Sequence, residues 1–261
     1  MEGIDDILAS VDRDSFSSPE ATTVDHQQLT RLWVAERAVP ELLPWPGPLM
    51  DRMMERVSKQ ISKIEDLSIS ASDATTSAGN TNHNPTLNLT LSILQSDLAR
   101  TQFLIRSILR QRLSKLTRYS IYYLRISMTQ QPSQGQTPRT LDRDAGSLLS
   151  DKELQFLRTH QSLLTMHYNA SFLSTFPPNL KRLDDNVGGT NMVVAPENKE
   201  VVFVRCLGEE VRIVIPAVEG AGDDGMAGLE SYGNRMERGE VWVVRWEGVK
   251  DAWKRGDIEI L

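Results

Sequence analysis

Side chains that could bind a metal or act in catalysis are scattered through this 261-residue chain. Of its four histidines, His160 and His167 are seven residues apart and could share one face of a helix. A zinc site takes three or four protein ligands, and no third ligand is close to this pair in the sequence. The pattern therefore favours packing or surface histidines over a metal site.

Nucleophilic and phosphate-binding motifs are equally sparse. Cys206, the only cysteine, lies in an apolar run that predicts a strand, so we expect a buried and inert thiol. Gly188-Gly189 lacks the lysine and the strand–helix context of a phosphate-binding loop. No spacing isolates an acid–base pair, although a hydrolase whose triad is assembled in space stays open as an alternative. The recognisable features concern surfaces rather than catalysis.

Basic residues cluster in one stretch that contains a single acid, Asp97. They are Arg100, Arg106, Arg110, Arg112, Lys115, Arg118 and Arg125. A solvated helix face is the general expectation for such a run. An ion-paired subunit interface and an independent nucleic-acid-binding module using the basic helix 100–125 are the alternatives. The net charge of −6 argues against strong autonomous DNA binding, because affinity for phosphates requires a positive potential.

One long helix, from Leu91 to about Ile126, is predicted to position these charges. No proline or glycine interrupts it, and gaps of three, four and seven residues place one apolar stripe along it. The stripe comprises Leu91, Leu94, Leu98, Ile105, Ile108, Leu109, Leu113 and Leu116. Such a helix would span roughly 50 Å at about 1.5 Å per residue. Because a small domain needs less, we expect parts of it to contact other helices or other chains.

Three further helices are predicted in the first 180 residues. The first covers 25–39, with Asp25 as its N-cap. The second runs over about 48–67, where methionines serve as core filler. The last opens with a capping box formed by Ser150 and Glu153 and ends near residue 174. Four helices with apolar faces close most simply into a bundle.

The amino-acid pattern changes after Leu183, where Val- and Ile-rich runs separated by turn residues predict short strands. These are Met192–Ala195, Val201–Cys206, Val211–Ile215, Val241–Trp246 and Ile258–Leu261. A Gly-rich insertion is expected at 219–239 and a short helix at Val249–Arg255. The predicted fold class is α+β, a four-helix bundle-like N-terminal domain followed by a small β-rich C-terminal domain.

The predicted organisation divides the chain into four parts. They are a flexible tail at 1–20, a helical domain at 21–183 with flexible loops at 68–86 and 129–147, a linker at 184–191, and a β-rich domain at 192–261. The single cysteine and the absence of a signal-peptide hydrophobic region predict an intracellular location. No run approaches the about 18 apolar residues of a membrane span.

The tail at 1–20 holds six acids and one base, a composition typical of disorder. Its apolar residues nevertheless have the spacing of one helix face; they are Ile4, Ile7, Leu8 and Val11. Asp5 and Asp6 would fall in the first turn, where the helix dipole favours anions. Two interpretations stay open: a frayed tail, or a short segment that folds in the groove of a partner.

Short motifs occur in an order that is typical of a known family. They are Leu32-Trp33-xx-Glu36-Arg37-xx-Pro40-Glu41-Leu42-Leu43, Leu109-Arg110-xx-Leu113-xx-Leu116, Leu149-Ser150-xx-Glu153-Leu154, Pro177-Pro178-Asn179-Leu180 and Val202-Phe203-Val204-Arg205. With these motifs the chain resembles the Sld-five family of GINS complex subunits, as a fungal-like member, over nearly its whole length. Two loops, 68–86 and 219–239, look longer than the family needs.

The resemblance implies a non-catalytic, nuclear scaffold subunit without a cofactor that acts in the initiation and elongation of DNA replication. The implied partners are three Psf-type GINS subunits, the MCM helicase ring and the cell-division-cycle protein forty-five, with DNA contact indirect or weak and no membrane contact. Ile4-Asp5-Asp6-Ile7-Leu8 is similar to the peptide with which fungal members bind an And-one-type trimeric hub. The residues expected at the subunit interface or in the core are Trp33, Leu42, Leu43, Leu109, Arg110, Leu113 and Leu116.

Overall fold

The computed structural model describes residues 19–77, 85–129, 148–178, 181, 193–215 and 232–261. The helical part comprises α1 (Pro19–Ala38), α2 (Gly47–Ser77), α3 (Pro85–Arg118), α4 (Ser120–Thr129), α5 (Asp151–Ser171) and a 3-10 turn, Leu173–Thr175. The C-terminal part comprises β1 (Val201–Cys206), β2 (Glu210–Ile215), β3 (Tyr232–Glu237), β4 (Val241–Arg245), α6 (Trp246–Arg255) and β5 (Ile258–Ile260). The predicted α+β class, helices first and strands second, is confirmed.

Two compact units divide the described residues, and neither follows the predicted boundary between the helices and the strands. One unit contains the chain up to Trp33 together with Pro46–Ile108, and the other contains Val34–Trp45 and Leu109–Leu261. The helices α1 and α3 therefore contribute residues to both units. None of the helices in the part of the chain that the structure describes has both the length and the hydropathy of a transmembrane span.

Asp25, inside helix α1, connects α1 to α2 in the first unit. It was predicted as an N-cap, but α1 begins at Pro19, and Asp25 is buried inside it. Its carboxylate accepts hydrogen bonds from Arg52 and Arg56 of α2, each at 2.9 Å. The N-cap prediction is wrong because these two partners, 27 and 31 residues away, satisfy the carboxylate inside the unit instead.

The second unit has two apolar clusters of buried side chains. The first joins the end of α1 and the connection after it to the strands and α6, with Val39, Leu43 and Trp246 among its members. The second joins the C-terminal part of α3 to α4 and α5 through Leu116, Tyr123 and Leu157, among others. The β-rich part of the chain is thus packed against residues 35–43 of the helical part.

Antiparallel strands form a three-stranded sheet in the order β4-β1-β5 and a separate hairpin of β2 and β3. Alternate residues of β1, Val202, Val204 and Cys206, are buried, as the period of two in its sequence predicts. Helix α6 ends at Gly256, which has a φ of 81°. Glycine adopts this left-handed conformation without steric cost, so it closes the helix before β5 begins.

Several predicted boundaries are corrected by the structure. The long helix is confirmed in outline, but it starts at Pro85 and is interrupted at Tyr119, where the hydrogen bonds of Tyr119 N–H to Lys115 O and of Tyr123 N–H to Tyr119 O maintain a helical course. Residues 68–77 of the predicted loop belong to α2, and residues 78–84 lie outside the described residues. Low-complexity sequence rich in serine and threonine disfavours a helix only weakly.

The strand predictions need three corrections. Tyr232–Glu237 is a strand within the predicted insertion, because it pairs with β2 along its whole length. Of its described side chains only Met236 is buried, so its sequence lacks the apolar alternation that predicts a strand. The described residues 193–195 form no strand. The run predicted to end at Trp246 ends at Arg245, since Trp246 opens α6.

Candidate subunit interface and its buried ionic support

Arg112 of α3 is the centre of a buried ionic cluster in the second unit. Its side chain is 1% exposed and donates five hydrogen bonds. Two go to the Glu153 carboxylate at 2.7 and 3.0 Å, and one goes to Glu36 at 3.1 Å. The others go to the carbonyl oxygens of Leu43 and Leu148, at 2.7 and 3.1 Å. One guanidinium thereby links α3 to α1, to the connection after α1 and to the start of α5.

Glu36 and Lys115 complete this cluster. The Glu36 side chain is fully buried, and Lys115 donates to its carboxylate at 2.7 Å and to the Glu41 carbonyl at 2.9 Å. Burial lowers the pKa of Lys115, whereas the charge and hydrogen bond of Glu36 oppose that shift. For Arg112, burial also lowers the pKa, but the two glutamates outweigh it and the net shift is upward. The charged forms of Arg112 and Lys115 are therefore stabilised in this buried position by the glutamate carboxylates.

Glu153 serves two purposes at the start of α5. Its carboxylate receives the two bonds from Arg112 and also one from the backbone N–H of Ser150, at 3.0 Å. The Ser150 hydroxyl accepts a bond from the Glu153 N–H at 3.2 Å, so the predicted capping box is confirmed. The cap that begins α5 is thus the same group that pairs with the buried arginine.

Glu41 carries the polar network on to α6. Its carboxylate accepts hydrogen bonds from the indole N–H of Trp246 at 2.8 Å and from the ammonium group of Lys250 at 2.7 Å. Nearby, the Leu42 N–H donates to the hydroxyl oxygen of Tyr123 at 2.8 Å. Burial is the main cause that raises the pKa of Tyr123 above its usual value. These bonds fix the connection after α1 between α4 and α6.

The expected interface or core residues fall into two groups in the structure. Leu42, Leu43 and Leu116 are buried in the second unit. Leu109, Arg110 and Leu113 are exposed, the two leucines by 40% and 44%. Trp33 lies in the first unit, partly buried, with its ring 6.3 Å from that of Phe103. The residues thus do not converge on a single site.

The predicted apolar stripe on the long helix therefore mixes two faces. Buried positions follow each other at gaps of three and four, and they are Thr101, Ile105, Ile108, Arg112, Leu116, Tyr119 and Tyr123, with Ser120 also buried next to Tyr119. Leu109 and Leu113, predicted on one stripe with these residues, lie outside the face that is buried within the chain. Arg112 takes the position expected for a leucine, because the paired glutamates compensate its charge.

A second exposed apolar surface lies on α5 and the turn after it. Its members include Leu163 at 61% exposure, Met166 at 65% and Phe172 at 47%. The rings of Tyr168, Phe172 and Phe176 follow each other at centroid distances of 5.5 and 6.3 Å. Large apolar side chains that remain exposed together mark interaction sites more often than chance.

Sequence reasoning missed the role of Arg112 and Lys115, which were grouped with the solvated basic residues. The one available signal was Glu36, an acid at an apolar-periodic position of the first helix. Both bases are committed to buried carboxylates, so neither is free to contact phosphates. This weakens the nucleic-acid-binding interpretation of the helix 100–125.

Cys206 and the described histidines and acids are the remaining groups considered for catalysis or metal binding. Burial raises the pKa of the Cys206 thiol, so the reactive thiolate is disfavoured, as predicted. Among the described residues, no group of three or more histidine, cysteine or acidic side chains is arranged to hold a metal ion. The predicted partner-binding residues Ile4 to Leu8 lie outside the described residues.

Comparison with known proteins agrees with this arrangement. Residues 61–172 match the family described as the GINS complex protein helical bundle domain, and residues 196–261 match the C-terminus of the DNA replication complex GINS protein SLD5. The SLD5 protein of Chaetomium globosum is 32% identical, and the alignment covers 99% of both chains. The Candida glabrata protein is 31% identical over 94% of this chain and 81% of its own length.

A more distant relative extends the same match. The SLD5 protein of Schizosaccharomyces pombe is 27% identical over 91% of this chain and 92% of its own length. Both parts of the chain are matched in the order that the structure describes, helical bundle first and β-rich part second. The chain therefore belongs to the SLD5 family of DNA replication complex GINS proteins and is a non-catalytic subunit of a replication complex.

Proposed function

We propose that this chain is the nuclear SLD5 subunit of a four-subunit GINS complex with three Psf-type partners. In this role it acts in the initiation and elongation of DNA replication, within an assembly that includes the MCM helicase ring and the cell-division-cycle protein forty-five. The single observation that carries the proposal is the exposed apolar side chains on α3 and α5, supported by similarity over nearly the whole chain.

The outward residues of α3 and α5 are the proposed subunit contacts. Leu109 and Leu113 are exposed on α3, and Leu163 and Met166 are exposed on α5. Leaving such side chains in water costs about 25 cal/mol for each Å² of apolar surface. Obligate interfaces bury about 2,000 Å² or more in total and are more apolar than transient ones. Burial of these residues against partner chains would recover that free energy.

Co-expression with candidate partner subunits tests this proposal. Native mass spectrometry should find one copy of this chain with three others, and Leu113→Asp should abolish that complex. The matched control is Leu207→Asp, a leucine after β1 that is 43% exposed but lies outside α3 and α5, and this change should leave the complex intact. Recovery of the chain as a stable monomer in the presence of all three partners would contradict the proposal.

We further propose that the N-terminal residues tether the complex to a trimeric replisome hub. The support is the single apolar stripe of Ile4, Ile7, Leu8 and Val11, with Asp5 and Asp6 at the expected helix start. An isolated helix this short is marginal in water, where about 12–15 residues are needed even for good helix formers. The groove of the hub would supply the order, and folding on binding costs about 2–5 kcal/mol. Several tethered ligands on one trimer would offset this weakness.

Fluorescence anisotropy of a labelled peptide covering residues 1–16 measures this interaction with the purified hub. Ile7→Ala together with Leu8→Ala should abolish binding of the peptide, and the same double variant in the full chain should leave assembly of the four-subunit complex intact. Equal affinities of the wild-type and double-alanine peptides would refute the tether. A nuclear signal from the fluorescently tagged full chain would support the localisation separately.

A further inference from the structure

A cavity of about 350 Å³ lies in the second unit, and its lining includes none of the outward residues of α3 and α5. The connection after α1, helix α4 with Leu148, and one face of α6 form its walls. Its lining residues are Glu41, Leu42, Leu43, Pro44, Tyr122, Tyr123, Ile126, Leu148, Trp246, Lys250, Trp253 and Lys254. Ligand pockets in proteins occupy about 300–1,000 Å³, so this cavity has room for a few side chains rather than a folded partner.

Aromatic rings make up much of the cavity wall. Tyr122 and Tyr123 pack edge to face at 5.2 Å, and Trp246 and Trp253 do so at 5.9 Å. Tyr122 and Trp253 are only partly buried, so part of each ring is available to a ligand. Walls of this composition bind a bulky apolar side chain, because aromatic rings bury a large area in fixed geometries.

The polar groups of the cavity are unequally satisfied. Glu41 is the one acid among the lining residues, and its carboxylate already accepts hydrogen bonds from Trp246 and Lys250. Lys254 has only a long contact, 3.4 Å, with Asp251, and its side chain is 53% exposed. Among the described residues, none accepts a hydrogen bond from the Tyr122 hydroxyl or the Trp253 indole. The lining therefore offers three donors, one of them cationic, and no matching acceptor.

We propose that this cavity binds a short peptide segment of another protein in which a bulky apolar side chain is adjacent to an aspartate or glutamate. The apolar side chain lies between the aromatic rings, and the carboxylate accepts from Lys254 and from the Tyr122 hydroxyl. Charge complementarity selects an acidic peptide, since Glu41 pairs with Lys250 and a basic peptide would meet the more exposed cation Lys254. This site is separate from the subunit contacts of α3 and α5, so it does not depend on them.

Selection of random peptides tests the proposal on the full chain, purified together with its partner subunits. A displayed dodecapeptide library is panned against the wild-type protein. The enriched peptides should share an acid next to an aromatic or large aliphatic residue. Lys254→Gln should weaken binding of a selected peptide by about tenfold, and Tyr122→Phe, which removes only the hydroxyl, by several fold.

Matched variants make the result decisive. Lys152→Gln removes an exposed lysine on α5 and should not change peptide affinity, and subunit assembly should be unchanged in all three variants. Enrichment of basic or uncharged peptides, or affinities that ignore Lys254 and Tyr122, would overturn the proposal. Peptide binding that appears only after deletion of residues 130–147 would also overturn it, because the cavity would then serve the chain itself.

Discussion

Replacing Arg112 by methionine should destabilise this protein severely. The change keeps an unbranched side chain but removes all five hydrogen bonds and the positive charge. Glu36 is fully buried and would keep only Lys115 as a cationic partner, while the carbonyls of Leu43 and Leu148 would lose their shared donor. Breaking a buried ion pair by removing one partner costs about 3–5 kcal/mol. Since total stability is about 5–15 kcal/mol, the loss is a large share of it.

Arg110 supplies a matched control for this experiment. It is the same residue type on the same helix, two positions earlier, but it is exposed. Urea unfolding of Arg112→Met and Arg110→Met should give losses of about 3–5 kcal/mol and less than about 0.5 kcal/mol, respectively. Arg112→Lys should recover only part of the loss, because an ammonium cannot reproduce the forked geometry. Equal midpoints for the two methionine variants would refute the assignment of Arg112 as the buried centre.

Three further outcomes are expected. Leu113→Ala should change the free energy of unfolding of the isolated chain by less than about 1 kcal/mol but reduce co-purification with partner subunits, whereas Leu116→Ala should cost about 2–5 kcal/mol. Calorimetry measures the unfolding and a pull-down measures the co-purification, and equal destabilisation by the two changes would contradict the assignment of Leu113 to the exposed face. The hydrogen bond from Arg52 holds the pKa of Asp25 below 3.8, so the stabilisation by the Asp25 carboxylate is present above that pH and is lost as the pH falls through the lowered pKa. Asp25→Asn should therefore cost about 1–3 kcal/mol at neutral pH, and the free energy of unfolding of this variant should fall less steeply than that of the wild type as the pH is lowered. Burial raises the pKa of Tyr123 above 10.0, so the contribution of this side chain to stability is present below pH 10.0 and is lost as the pH rises above it. The melting temperature of Tyr123→Phe should therefore fall less at alkaline pH than that of the wild type, and an equal fall in both proteins would count against this.

Features that depend on neighbours along the chain could be predicted from the amino-acid sequence. The capping box of Ser150 and Glu153 involves residues three apart, and the alternation in β1 has a period of two, so both could be predicted correctly. The order of helices and then strands followed from the same local patterns. The short motifs were sufficient to identify the family, because several of them occur together along one chain.

Which charged residues are buried depends on partners that are distant in the sequence, so the three-dimensional structure was needed to identify them. Arg112 and Arg110 look alike in the sequence, yet one is a fully paired core residue and the other is exposed, because the partners of Arg112 lie 76 and 41 residues away in Glu36 and Glu153. Asp25 became an internal ion-pair partner instead of an N-cap for the same reason. A helical period fixes which residues share a face, but which face is buried depends on non-local partners that can compensate a charge, and no local pattern carries that information.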